Sequence, residues 1–404
     1  MVFKISRLVP VAMAVAAFAA HAEGGNDPSF SFSGFATIGV VSTNTNDAQF
    51  VTSGEPHGAT KSKPSGEVDS KVGLQGTAKL NSIFSGTVQL LSQEDGDGSY
   101  KPAVEWAFVK AQILPSLSVR VGRMGAPLFA VSDFRNVGYA NLWLRPPPDV
   151  YGQVPISNFD GADVIYQMPV GSATVSAQVF GGTSKAVFQH TDVHLKSQAG
   201  FNLTAEFDNG LTLRLGHVQG KLTVDSASLG QLVAVLRSTP FASVGDQMDP
   251  TSKKSSFSGI GASYDQNNIV ANFEYTKRKT ESYVPDTTGW YATLGYRFGK
   301  IAPFVTVSRL KQDDGNVNDT IPSGLSPQLD GLKATVDGTL ASQARNQKTT
   351  GIGVRWDFYR SMDLKAQYDS VRAQGNGLFT GTTPAFAAGN NRVGVYSLAV
   401  DMVF

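Results

Sequence analysis

The chain closes with Asn391-Arg392-Val393-Gly394-Val395-Tyr396-Ser397-Leu398-Ala399-Val400-Asp401-Met402-Val403-Phe404. From Tyr396 the even positions run Tyr, Leu, Val, Met, Phe. The odd positions include Asn391, Ser397, Ala399 and Asp401. Side chains on a strand alternate between faces, so this is an amphipathic strand that ends on an aromatic residue. One face is apolar and the other is small or polar. That pattern suits a wall with lipid on one side and water on the other.

The same alternation recurs along the chain. In Val68 to Asn81, the residues Val68, Val72, Leu74, Ala78 and Leu80 share one face. Asp69, Lys71, Gln75, Thr77 and Lys79 share the other. Lysines on the polar face would be costly in lipid but not in a water-filled lumen. Sixteen such segments begin near Ser29, Val68, Ile83, Ala103, Leu117, Phe159, Gly171, Ser197, Leu211, Ser255, Asn268, Thr287, Lys300, Gln347, Ser361 and Asn391. Each is long enough to cross a bilayer as a tilted strand. In Lys300 to Gln312, Phe304 and Val305 are both apolar, so the faces of that segment cannot be assigned from the pattern.

Connections alternate in length. Tight turns fall at 81–82, 114–116, 169–170, 208–210, 266–267, 299–300 and 359–360. Asn209-Gly210 carries the strongest hairpin chemistry, because both residue types accept positive φ. Long segments fall between them, at 43–67, 94–102, 124–158, 183–196, 222–254, 281–286, 313–346 and 374–390. Seven short turns and eight long loops are what sixteen up-and-down strands require. The fold expected is an all-β, transmembrane, antiparallel up-and-down barrel, with both termini on the short-turn side. Apolar stripes at 228–236 and, more weakly, 329–340 predict short loop helices that pack the loops together.

Composition points the same way. Lys4 and Arg7 precede an apolar core from Val9 to Ala19 and an Ala20-His21-Ala22 cleavage pattern, so residues 1–22 read as a signal peptide. Its removal takes two of 34 basic residues and none of 33 acidic ones, leaving a net charge of −1 on a single domain, 23–404. Near-neutral charge argues against a nucleic-acid binder. There is no cysteine, so neither disulfides nor thiolate chemistry is available.

The loop 124–158 differs from the rest. It carries Phe129, Phe134, Tyr139, Leu142, Trp143, Leu144 and Tyr151 around Pro146-Pro147-Pro148. A loop so rich in aromatic side chains needs something to pack against; the barrel interior is the expected place, and the alternative is the barrel rim or a neighbouring subunit. Proline stiffens such a shelf.

Several stretches carry a resemblance. Phe404 resembles the C-terminal assembly signal of outer-membrane barrels, although Ala399 and Met402 replace the more usual Gly and aromatic residue. Glu105 to Lys110 and Leu117 to Arg123 resemble the fourth and fifth strands of Gram-negative general porins. Phe159 to Tyr166 resembles the strand that resumes their barrel, and Ser70 to Gly76 their second strand. The resemblance implies homotrimers in the bacterial outer membrane, in contact with lipid and lipopolysaccharide. Each barrel would pass small hydrophilic solutes and ions by passive diffusion, without a cofactor, through a pore narrowed by the third loop. It also implies basic wall residues facing acidic loop residues. Lys71 matches a basic constriction position, whereas Glu105 stands where a further basic residue is common. We therefore expect Lys71, Lys79 and Arg120 as wall cations, and Asp133 and Asp149 as loop anions. Opposed charges across a pore would set its selectivity.

Two other readings of the barrel are a substrate-specific porin with a saturable site and an adhesive barrel with a closed pore. For an enzyme, no catalytic residues are evident. His217 falls on the lipid face, and the residue two positions on is Gln219, which is no nucleophile. No metal site is expected either, since His190 and His194, with Asp192 between them, sit in a predicted loop without fixed ligand geometry. Trp106, Trp290, Tyr291, Trp356 and Tyr359 read as interfacial aromatics.

Overall fold

Alternation along the chain becomes a closed wall. The computed structural model describes residues 28–404 except Ser53, Asp314 and Leu325; the expected signal peptide therefore lies outside the described residues. Sixteen antiparallel strands pair in sequence order around one barrel, and β1 (Ser29–Thr43) meets β16 (Asn390–Val403) to complete it. Closure leaves no open sheet edge, which hydrocarbon would not tolerate. At the seam, the Phe404 N–H donates to the Gly34 carbonyl at 3.0 Å, and the Gly34 N–H donates to the Phe404 carbonyl at 2.7 Å.

The remaining strands are β2 (Lys71–Lys79), β3 (Phe84–Gln93), β4 (Ala103–Leu114), β5 (Leu117–Gly125), β6 (Asn158–Val170), β7 (Ala173–Phe188) and β8 (Thr191–Phe207). They continue with β9 (Leu211–Asp225), β10 (Lys253–Gln266), β11 (Ile269–Thr280), β12 (Thr287–Tyr296), β13 (Ile301–Gln312), β14 (Asn346–Tyr359) and β15 (Met362–Gln374). The expected faces hold. On β16 Tyr396 and Leu398 are exposed to the outside, whereas Ala399 and Asp401 are buried inside. On β13 the ambiguity is resolved: Val305 faces out, and Phe304 is buried in the lumen.

One predicted loop is not a loop. Segment 183–196 continues β7 and β8 as a hairpin, turned by Gln189 and His190 with φ of 47° and 64°. Two consecutive positive φ values give the tight turn that matches strand twist. The Val193-His194-Leu195-Lys196 alternation carried that signal, with Val193 and Leu195 buried.

The core of the protein lies inside the wall. The third loop, 126–157, crosses the lumen and packs Phe129, Trp143 and Tyr151 against Phe257, Tyr291 and Phe304 of β10, β12 and β13. The first and last long loops fill the space beside β15 and β16, with Phe50, Phe379 and Phe386 in one cluster. The predicted loop helices are present. The helix Ala227–Arg237 and the helix Pro327–Ser342 share an apolar cluster that includes Leu229, Val233, Leu236 and Val336.

A row of glycines crosses the wall close to where β5 leads into the third loop. Gly122, Gly161 and Gly182 are register partners across β5, β6 and β7. A Cβ on Gly161 would lie 2.0 Å from the Gly181 carbonyl oxygen, and Gly122 has φ of 133°. Backbone cannot swing aside as a side-chain tip can, so the row is sterically obligatory. Gly161→Ala is expected to cost at least about 2 kcal/mol. Gly181→Ala, whose Cβ would lie 3.3 Å from its nearest neighbour, should cost less than about 1 kcal/mol. Heat-modifiable mobility and thermal unfolding in detergent would test this, and equal effects from the two variants would refute it.

Candidate pore constriction

The third loop is held by charged wall residues that grip its backbone. Arg214 on β9 donates to the carbonyls of Pro127 and Leu128 at 2.5 and 3.2 Å. Arg278 on β11 donates to the Gln153 carbonyl. Arg355 on β14 reaches the carbonyls of Tyr139 and Asn141 at 2.7 and 3.1 Å. Lys365 on β15 reaches the Gly138 carbonyl at 2.6 Å. A charged donor to a buried carbonyl is a stronger tether than a neutral one.

Acidic wall residues complete the grip. Glu274 on β11 accepts the Ala130 N–H at 2.8 Å and the Tyr151 hydroxyl at 3.0 Å. Glu105 on β4 accepts from Ser157 and Asn158, where the loop rejoins the wall. Arg145, at the middle of the loop, is buried. It makes a paired contact with Asp69 at 2.6 and 2.7 Å and lies 3.6 Å from Asp369. Its guanidinium also sits 5.0 Å from the Phe50 ring centroid. The loop is thus fixed on several sides and is not free to swing.

The five expected constriction residues do not share one place. Lys71 projects from the lumen face of β2, with Asp69, Asp401 and Arg135 as its charged surroundings. Arg120 on β5 pairs with Asp163 at 2.5 Å and lies 5.2 Å from the Phe108 ring centroid. Asp133 is exposed although it lies inside the barrel, so it faces the water-filled space. Although its side chain meets water, the surrounding lumen wall partly desolvates its carboxyl and raises its pKa from 3.8, against the opposing pull of Arg120 and Arg214. Phe134 beside it is 40% exposed.

Lys79 is exposed at the end of β2, where that strand meets Ser29 and Ser85 near the short turns. It stands at the periplasmic mouth, away from the loop. Asp149 is fully buried in the short helix Pro148–Tyr151, and it is not presented to the pore. Its Oδ2 accepts hydrogen bonds from Ser308 of β13 and Thr349 of β14, both at 2.8 Å. The sequence marks it as an acid on the loop, but only packing shows that it is a fastening for the loop.

Two of the expected interfacial aromatics also belong to this core. Tyr291 is 1% exposed on the lumen face, with its ring centroid 5.8 Å from that of Trp143. Trp106 lies against Gly125 beside Asp133. Above the loop's return segment a vestibule of about 490 Å³ opens, lined by Ile156, Phe188, Leu195, Arg278 and Arg345 among others.

Two clusters lie outside the pore. His217 Nδ1 and Ser258 Oγ are 2.8 Å apart on the outer wall, a contact that spacing within one strand could not reveal. Among the described residues no carboxylate lies within ion-pair distance of that imidazole, whose ring centroid is 6.1 Å from that of Phe201. Asp192, His194 and Asp225 bring three ligand atoms within 4.8 Å of one another, whereas His190 sits in the turn and faces Asp97 at 3.6 Å. Lys185, 2.9 Å from Asp192, already neutralises part of that cluster.

The sequence pattern of Gram-negative porins matches residues 10–401. The chain belongs to that family. This porin is therefore a bacterial outer-membrane channel for passive diffusion. Solved porins share its fold at low identity. Salmonella typhi OmpF, solved in complex with daunomycin, aligns with a TM-score of 0.58 and 15% identity, over 94% of this chain and 98% of that one. The anion-selective porin from Comamonas acidovorans aligns with a TM-score of 0.55 and 12% identity, over 94% and 100%. The outer-membrane channel DcaP of Acinetobacter baumannii gives 0.53 and 10%, over 94% and 98%. No curated protein matches the porin.

Burial pushes the Asp149 carboxyl up from 3.8 to about 6, against hydrogen bonds from Thr349 and Ser308 that lower it. A carboxyl with a raised folded pKa holds its proton more tightly when folded. Its stabilising contribution is complete below the unfolded value of 3.8 and is lost as pH rises through about 6. Asp149→Asn should therefore match the parent near pH 4 and be the more stable near pH 7.5, by on the order of 3 kcal/mol. Thermal unfolding at both pH values would test this. A variant less stable than the parent near pH 7.5 would count against it.

Proposed function

We propose that this porin is a general diffusion channel for small hydrophilic solutes, with its ion preference set by Asp133 beside Arg120 and Arg214, and by Lys71 elsewhere on the lumen wall. The observation that carries the reading is the exposure of Asp133 inside the barrel, when most lumen charges near the third loop are consumed as tethers. Lys79 then acts at the periplasmic mouth, and Asp149 acts by holding the loop. A fixed field across a narrow, wet passage favours polar over apolar solutes.

The same reading makes the protein a homotrimer exported by cleavage after Ala22, with outer-membrane lipid and lipopolysaccharide around it. Solved OmpT of Vibrio cholerae, whose fold is similar at a TM-score of 0.53 and 11% identity, is described in trimer form. The protein acts as a channel, which its membership of the porin family and its barrel support.

Reversal potential under a salt gradient in a planar bilayer tests the assignment. Asp133→Asn should move selectivity toward anions, and Lys71→Gln toward cations, each by about twofold or more in permeability ratio. Unmoved reversal potentials in both variants would sink the assignment. Conductance that rises severalfold on deleting residues 140–150 would independently support the loop as the narrow point.

A further inference from the structure

The outer face of β13–β16 carries four basic residues in one row. Arg309 is the register partner of Lys348, Lys348 of Arg372, and Arg372 of Arg392. All four are exposed and lie on the outward face, at the long-loop ends of their strands. Strand spacing makes the row about 14 Å long. Like charges directly opposite each other in a sheet repel.

No carboxylate of the described residues lies within ion-pair distance of any of the four; Arg392 bonds only to the Ser370 hydroxyl, at 3.0 Å. Some other rim cations have acidic company. Lys254 lies 3.8 Å from Glu281, and Lys277 and Lys311 each lie 3.7 Å from Asp313. Lys196 and Lys221 are likewise register partners without an ion pair among the described residues, but their row ends on Lys254, which Glu281 accompanies, whereas the four-membered row on β13–β16 has no counter-charge among the described residues.

Its surroundings fix its depth in the membrane. Below it the outward face is exposed and apolar, with Val307, Ile352, Tyr396 and Leu398. Trp290 is the partner of Arg309 on the other side, and Tyr368 and Tyr396 pack with ring centroids 5.1 Å apart. Aromatic residues at the edge of an apolar band mark the membrane–water interface. On the long-loop side of a porin that interface belongs to the outer leaflet. Between Arg372, Arg392 and Tyr368 the wall is hollowed, with a cleft of about 420 Å³ that also takes in Lys348, Thr350 and Ser370.

We propose that this row is a binding site for the phosphate groups of an anionic outer-leaflet glycolipid, whose acyl chains run down the apolar face below. Arginine guanidinium groups pair with phosphate oxygens by two hydrogen bonds, and lysine supplies a point charge. A phosphorylated lipid seated there supplies the missing negative charge and the apolar contact together. Among the described residues the outward faces of the strands offer no acidic row to make a second copy of the chain the better occupant. Asp160 there is already paired with Arg123 at 2.8 Å. The inference rests on lipopolysaccharide being the lipid partner and assigns where it binds.

The test uses the full-length protein in nanodiscs containing diphosphorylated lipid A, the same lipid with its phosphates removed, or neutral phospholipid with inorganic phosphate. Lipid retained per barrel is read by native mass spectrometry. The parent should retain diphosphorylated lipid A at least tenfold better than the dephosphorylated form. The variant Arg309→Gln, Lys348→Gln, Arg372→Gln, Arg392→Gln should fall to the dephosphorylated level. Lys254→Gln with Lys279→Gln, a charge loss elsewhere on the rim, should not. Heat-modifiable mobility reports folding, and the comparison of lipids on the parent needs no variant at all. Equal retention by parent and quadruple variant overturns the site while leaving the lipid partner in place. Failure of the parent to prefer phosphorylated lipid overturns both. Protection by inorganic phosphate as strong as by lipid A would make this a free-phosphate site and overturn the lipid assignment. A quadruple variant that loses oligomeric state would instead assign the row to a subunit contact.

Discussion

Everything in the lumen depends on wall cations that hold the carbonyls of one loop. A barrel of sixteen strands is wide enough to leave an aqueous channel. An excursion of the length of 126–157 into that channel would, unaided, leave its backbone carbonyls half-solvated and its position loose. Arg214, Arg278, Arg355 and Lys365 remove both problems together. Each supplies a charged donor to a carbonyl that no strand could reach. Phe129, Trp143 and Tyr151 then exclude water from the contact with β10, β12 and β13. Polar clamps set the loop's place, and apolar contact supplies much of its adhesion.

This division changes how lumen charge is counted. By face parity the lumen holds nearly equal numbers of acids and bases, and a count predicts no selectivity. Most of the pairs near the third loop are internal to its attachment. Arg145 is taken by Asp69 and Asp369, Arg355 by Asp357 and Asp363, and Lys365 by Asp401. A charge that is paired and buried projects little field into water. The few that remain open, with Asp133 foremost, matter more than their number suggests.

The barrel was legible because lipid imposes one rule on every strand. Period-two alternation found sixteen strands, although it cut β7 and β8 short at segment 183–196, and Asn-Gly chemistry placed a turn at Gly210, where φ is 78°. The reading failed where a second partner replaced water. Phe304 blurred the faces of β13 because the third loop, not solvent, covers its lumen side. Tyr291 looked interfacial for the same reason. An apolar residue at a lumen position was therefore a signal for the loop's landing site, available in the sequence but readable only after the loop was known to turn inward. Asp149 and Asp133 are the same residue type on the same loop. Nothing in their neighbours along the chain says that one binds Ser308 and Thr349 while the other meets water. Their roles come from tertiary contact alone.

The two faces of one strand also give one residue type opposite meanings. On β14 Arg355 points inward and binds loop carbonyls, while Lys348 points outward beside Arg309 and Arg372. On β16 Asp401 is buried against Lys365, while Arg392 is exposed and bonded only to Ser370. An odd number of residues between two charges is enough to keep them on one face, and an even number sends one to each face. A single-residue slip in register would drive Lys348 into the lumen and Arg355 into hydrocarbon. Both outcomes are costly, so the charges that tether the loop and those that ring the outer rim together fix the register of the wall that carries them.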